Sequence, residues 1–303
     1  MIKIKNHKAF SLVEISMVIL VIGILIAGVS QGIDLYDDYR LTSARNLTKN
    51  SLVNRIPDLE MWLETTSENS LATGTTSFTD KPNPIDQDSI GRWNNINPNI
   101  LPTARNHATQ NNPTASVDNQ PKYIRKGMNG LPALLFDGTN DFFSYNGNFL
   151  VGADYTIFVV EARNSNKNNN FFIAGSQSVE SQNLILGYWH MFSYRLTHSH
   201  YNANRIDYAV NSSYTNPIPS LYSFVFGKNL GKEIYLNGDK KIFDTSQKTP
   251  LTSYQNSAIG KSYSSDFYQG SIAEIIFYTR ALTNAERKGV ESYLSKKWGI
   301  KLG

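Results

Sequence analysis

Twenty residues, Phe10 to Val29, read FSLVEISMVILVIGILIAGV and carry one charge, Glu14. As a helix, a run of this length and composition matches the roughly 20 residues needed to cross a bilayer. Lys3, Lys5 and Lys8 precede it with no acid among them. Such a positive flank is held on the cytoplasmic side of a membrane. The simplest readings are a secretory signal peptide and a plain signal anchor. Ala27-Gly28-Val29-Ser30 is compatible with a small-residue cleavage site. However, a cleavable apolar region usually has about 7–15 residues, and this one is longer. Neither reading accounts for Glu14, since a carboxylate in lipid is costly and normally has a partner.

The stretch KAFSLVEISMVILVIGILIAG resembles the prepilin signature of the type IV pilin and pseudopilin family. The resemblance implies that a prepilin peptidase cuts on the cytoplasmic side, between Ala9 and Phe10, with N-methylation of Phe10. Ala9 departs from the glycine usual at that position. Glu14 then becomes the fifth residue of the mature chain. The new α-amino group of Phe10 on a neighbouring subunit can pair with it, and a charge pair out of water can set subunit register. The partners implied are the peptidase, other pilin or pseudopilin subunits and the inner membrane. The expected localisation is single-pass in the inner membrane with the C-terminal domain in the periplasm, and a pilus or pseudopilus after assembly.

Beyond Ser30 the acids Asp34, Asp37 and Asp38 and the bases Arg40, Arg45 and Lys49 accompany Ile33, Tyr36, Tyr39 and Leu47 at partial helical spacing. This predicts that the helix continues outward with a solvated face that includes Asp37 and Asp38. Pro57 ends helical character. The expected domains are a leader at 1–9, a helix at 10–55 and a folded head at 56–303. At the start of the head, Leu59, Met61 and Leu63 alternate with Asp58, Glu60 and Glu64. That is the period of a half-buried strand, with the acids on its solvent face.

Residues 71–91 and the Asn- and Pro-rich stretch from Asn94 read as long surface loops. Ten or more short aromatic and β-branched segments follow, punctuated by Gly, Asn and Asp. Asn237-Gly238 suits a type I′ hairpin turn. With no helices interleaved, the pattern predicts an antiparallel sandwich. Thr283 and Glu286 form a capping box before a final helix, whose apolar stripe is Val290, Leu294 and Trp298. The segments WLETTSENS, IGRWNNI, KYIRKGMNGLPALLFDGTNDFF, YTIFVVEA, EIYLNGDK and GSIAEIIFYTRALTNAERKGVESYLSKKWGI resemble the laminin G-like or concanavalin A-like family over about 57–303. The implied fold class is an N-terminal transmembrane helix, then an all-β antiparallel jelly-roll sandwich with a short C-terminal helix. The implied function is lectin-like binding of a carbohydrate or surface-protein ligand.

No cysteine is present, which excludes disulfides, thiolate metal sites and a Cys nucleophile. Net charge is +4, of which the three leader lysines supply three, so no basic footprint for nucleic acid remains. Glycoside hydrolysis needs two positioned carboxylates. Neither Asp58, Glu60 and Glu64, interrupted by Trp62, nor Asp86 and Asp88 completes an alternating acid motif. The chain is therefore expected not to be an enzyme, with no catalytic residues and no obligatory cofactor. A membrane-anchored glycan-binding protein that never polymerises and an atypical glycoside hydrolase are the rivals. FDGTNDFF brings Asp137, Asn140 and Asp141 together as candidate calcium ligands, the alternative being that Asp137 and Gly138 simply build a turn. His198 and His200 lie on one face of an extended segment and read as a polar loop rather than a metal site. Tyr188, Trp189 and Tyr194 can stack on sugar rings or belong to the core.

Overall fold

The computed structural model describes residues 11–110, 117–165, 169–189, 195–202, 204–210, 217–262 and 266–303. The chain forms two compact units, Met1–Ser43 and Ala44–Gly303. Ala9 and Phe10 lie outside the described residues. Helix α1 spans Leu12–Lys49. At about 1.5 Å per residue it is about 57 Å long, beyond the ~30 Å of a hydrocarbon core. Its start is locally capped: Ser11 N donates to Glu14 Oε2 at 2.8 Å and Glu14 N donates to Ser11 Oγ at 3.2 Å. This reciprocal pair satisfies two amides that open a helix. Ser16 Oγ donates to the Leu12 carbonyl at 2.5 Å, so its hydroxyl is satisfied within the helix. From Leu12 to Val29 every side chain is exposed within this unit. The helix is long and apolar enough to span a membrane.

The second unit takes in the last turns of α1, because Ala44 and Thr48 are buried in it and Leu47 packs against its core. The helix stops at Lys49, short of residue 55. Val53–Arg55 forms a separate 3₁₀ turn. Val53, within that turn, and Ile56, just after it, are buried.

The body of the unit is two antiparallel sheets. Seven strands of the first run, in spatial order, Asp239–Asp244, Gly231–Leu236, Ser220–Gly227, Tyr155–Arg163, Gln269–Tyr278, Leu131–Asp137 and Lys122–Met128. The eighth, Leu59–Glu64, pairs with the second half of Gln269–Tyr278. The second sheet has ten strands, from Arg205–Ala209 at one edge to Thr79–Asp80 at the other. Leu236 and Asp239 pair across Asn237-Gly238, whose φ values of 52° and 84° are those of the expected hairpin turn. Tyr155–Arg163 is buried along its whole length. Its Tyr155, Ile157 and Val159 join the core between the sheets, while Phe158, Val160 and Ala162 join a second core on the outer face.

That outer face is covered by helix α2, Asn284–Trp298. Thr283 and Glu286 form its capping box, Gly299 closes it at φ 65°, and Val290, Leu294 and Trp298 are fully buried. The cover corrects the reading of the first strand. Glu64 does not face solvent: it lies under α2 with Lys297 Nζ 2.8 Å from its Oε2, and both side chains are wholly enclosed. A bulge opposite Glu161 and Val160 displaces Ala273 and brings Glu274 to the same place. Glu274 accepts from Trp62 Nε1 (2.7 Å), Tyr293 Oη (2.9 Å) and Trp298 Nε1 (2.8 Å), and pairs with Lys297 at 2.9 Å. Burial alone pushes the Glu64 carboxyl up, but Lys297 and the donors of Thr66 and Ser67 outweigh it and hold it at about 2. Burial likewise opposes the Lys297 charge, and Glu274 and Glu64 raise its pKa above the ordinary lysine value.

Candidate functional site

A groove of about 940 Å³ opens where the last turns of α1, the turn after Glu64 and the segment 92–107 meet. Asparagines stitch the adjoining strand edge, and Asn95 among them lines the groove. Asn95 Oδ1 accepts from Trp62 N (2.9 Å) and Asn97 N (3.0 Å), and Asn95 Nδ2 donates to the Glu60 carbonyl at 3.0 Å. Asn97 Nδ2 donates to the Leu59 carbonyl at 2.6 Å, and Asn99 Nδ2 reaches the Asn54 carbonyl at 2.8 Å. Along this edge of Leu59–Glu64, side-chain amides take up backbone groups that a neighbouring strand would otherwise satisfy. Asn95 and Asn97 are fully buried, so this stretch is an ordered wall rather than the plain surface loop its composition suggests.

Cations line the wall. Arg92 Nε donates to Asn94 Oδ1 (2.6 Å), its Nη2 to Asp80 Oδ1 (2.8 Å), and its guanidinium carbon lies 5.4 Å from the Phe78 ring centre. Arg45 Nε donates to the Thr66 carbonyl at 2.7 Å and its Nη1 meets Glu68 at 3.1 Å. Arg105 Nε is held by the Ile100 carbonyl at 3.1 Å. Lys49 stands exposed at the end of α1. His107 Nδ1 accepts from Asn95 N at 3.1 Å, which leaves Nε2 as the donor of the neutral ring. Burial lowers the His107 pKa, and the charges of Arg92 and Arg105 lower it further. The groove thus offers guanidinium, ammonium, imidazole and carboxamide groups beside Ile96, Pro98 and Pro102. This is a surface suited to a hydroxyl-rich, polar ligand.

The residues singled out in the sequence lie elsewhere. Asp137, Asn140 and Asp141 do share one turn. Asp137 Oδ1 accepts from Thr139 N (2.7 Å) and Asn140 N (3.3 Å), and Asp141 Oδ2 accepts from Asp137 N at 2.9 Å. Burial raises the Asp141 pKa to about 7. Among the described residues no group of three or more His, Asp and Glu converges as a metal set. His198 and His200 are not in a polar loop. They sit on the strand Arg195–Ser199 and just beyond it, fully buried, with Tyr155 Oη 2.7 and 2.8 Å from their Nε2 atoms. Tyr188 belongs to the core and donates to Glu161 at 2.9 Å. Trp189 is half-buried, edge-on to Phe171, and Tyr194 lies outside the described residues. Asp86 and Asp88 serve the local loop, accepting from Arg125 N and Ile85 N at 2.8 Å each. Composition hid Arg45, Arg92, Arg105 and His107, because they are scattered through 45–107 and converge only in space.

No family model matches the chain, and no curated protein matches it. Solved structures do resemble it. Trypanosoma rangeli sialidase in complex with 2,3-difluorosialic acid matches at 12% identity and TM-score 0.50, over 88% of this chain and 39% of the sialidase. Domain 4 of AbnA, a GH43 extracellular arabinanase from Geobacillus stearothermophilus, in complex with arabinotriose, matches at 14% identity and TM-score 0.48, over 69% of this chain and 99% of that domain. The binding domain of Paraclostridial Mosquitocidal Protein 1 matches at 12% identity and TM-score 0.49, over 80% and 55%. The chain thus spans about two fifths of that sialidase. At these identities the likeness is one of fold. The sialidase with TM-score 0.50 is a glycoside hydrolase, so the expectation that the chain is not an enzyme does not stand; the likeness itself is one of fold.

Proposed function

We propose that the chain is a membrane-anchored, pilin-like subunit whose concanavalin A-like head binds carbohydrate. The observation that carries the binding half is the groove, with fixed donors and short apolar walls around a volume able to admit an oligosaccharide. The anchoring half is supported by an apolar helix with a single acid at its start and by the prepilin-like residues Ala9, Phe10 and Glu14. In this reading a prepilin peptidase removes residues 1–9 at the inner membrane. The helix then packs among other pilin or pseudopilin subunits, with Glu14 pairing with the Phe10 amino group of a neighbour, and the head is displayed outward.

The test is a glycan array probed with the full chain in uncharged detergent micelles, beside N-terminal analysis of the protein from its native host. Binding to at least one glycan, competed by the free sugar, is expected. Silence across plant, bacterial and animal glycans removes the carbohydrate reading. Incubation of the bound glycans, followed for newly released reducing ends, reads hydrolysis directly.

A further inference from the structure

Four cations, Arg45, Lys49, Arg92 and Arg105, line the groove against two carboxylates, Glu68 and Asp80. The charges differ in how firmly they are placed. The Arg45 and Arg92 side chains are 21% and 24% exposed and are anchored by the Thr66 carbonyl and by Asn94. Their carboxylate partners are 62% and 54% exposed. Exposed ion pairs of this kind contribute little and exchange readily. The guanidinium groups are therefore fixed, while the Glu68 carboxylate can turn out to solvent; Asp80 is also held by Asn94 Nδ2 at 3.0 Å. Arg105 and Lys49 add positive charge to the lining with no ion pair among the described contacts. Burial lowers the His107 pKa, and the neighbouring charges of Arg92 and Arg105 lower it further.

We propose that the groove binds a carboxylate-bearing saccharide, such as a uronic acid or another sugar acid. The sugar carboxylate would take the place of Glu68 or Asp80 on the sheltered arginines. Arginine presents a planar fork that matches a carboxylate, and both arginines here already hold one. The asparagine amides, His107 Nε2 and the proline walls would meet hydroxyls and ring faces. This inference rests on the carbohydrate reading of the groove and adds the charge class of the sugar.

Calorimetric titration of the full chain in uncharged micelles tests it. The acidic probes are trigalacturonate, a hyaluronan tetrasaccharide and sialyllactose. Galactotriose and lactose are the neutral counterparts, and a hexaglutamate peptide is the non-sugar acid. At least one acidic saccharide should bind about tenfold tighter than its neutral counterpart, a preference that weakens as salt rises. Arg92→Gln should weaken that binding about tenfold. Lys49→Gln, a change at an exposed side chain, should weaken it in the same sense and controls for misfolding. Equal affinity for acidic and neutral sugars overturns the inference and leaves the carbohydrate reading standing, as does acidic binding untouched by both variants. Binding of hexaglutamate alone, or of no probe, overturns both.

Discussion

Glu14 has two physical roles available at once. It closes the capping box with Ser11 in the isolated chain, and it is the acid proposed to meet a neighbour's amino group. Glutamine serves equally well in a capping box but carries no charge. Glu14→Gln should therefore leave the helix start intact and still reduce incorporation into filaments, whereas Glu14→Ala should impair both. Amide exchange at Ser11 and filament counts separate the two, and a Glu14→Gln variant that assembles normally removes the register role. The buried histidines make a different prediction. Burial and the nearby Lys232 charge push His198 and His200 well below the ordinary value of 6.5, so both are neutral in the folded state. Only the unfolded chain takes up their protons just below that value. Their contribution to stability is present above pH 6.5 and is lost as pH falls beneath it. Asp141 and Glu161, raised by burial, act in the opposite sense. The effect is thus read as a difference: denaturant melts of His200→Gln should lose less stability between pH 6.5 and 5 than those of the native chain.

At the scale of elements, α2 is the piece most exposed to test. Trp298 is fully enclosed and donates to Glu274, so Trp298→Ala should cost about 3–5 kcal/mol, measured by urea unfolding. Lys297→Met should cost about 3–5 kcal/mol as well, because it leaves Glu64 and Glu274 buried without their counter-charge. The sign with pH follows from Glu64. Its folded pKa of about 2 lies below the ordinary 4.5, so the stability it confers is full above pH 4.5 and drains away as pH falls toward 2. In Lys297→Met that acid-side loss should shrink. The capping box, the Val290–Leu294–Trp298 stripe and the Asn237-Gly238 turn are all legible in sequence, because each depends on residues within a few positions of one another. The polarity of Leu59–Glu64 misleads for the opposite reason. Alternation reports two unlike faces, and whether the polar face meets water or a buried lysine 233 residues away is decided by what packs on it.

For the whole molecule, the first measurement is the mature N-terminus. N-methyl-Phe10 is expected by mass analysis, and a terminus at Met1 or beyond Ala27 refutes prepilin processing. Sequence alone determined that an apolar helix of membrane length opens the chain and that an antiparallel β-rich head follows and ends in a capped helix. Those features rest on local periodicity, turn chemistry and hydropathy, each complete within a short window. The tertiary structure alone decided that the head takes in the last turns of α1 and that the first sheet is covered on both faces. It also placed His198, His200 and Tyr188 in the interior, and drew Arg45, Arg92, Arg105 and His107 around one groove. Burial and convergence are properties of chain crossings between distant segments, and no window of sequence contains both sides of such a crossing.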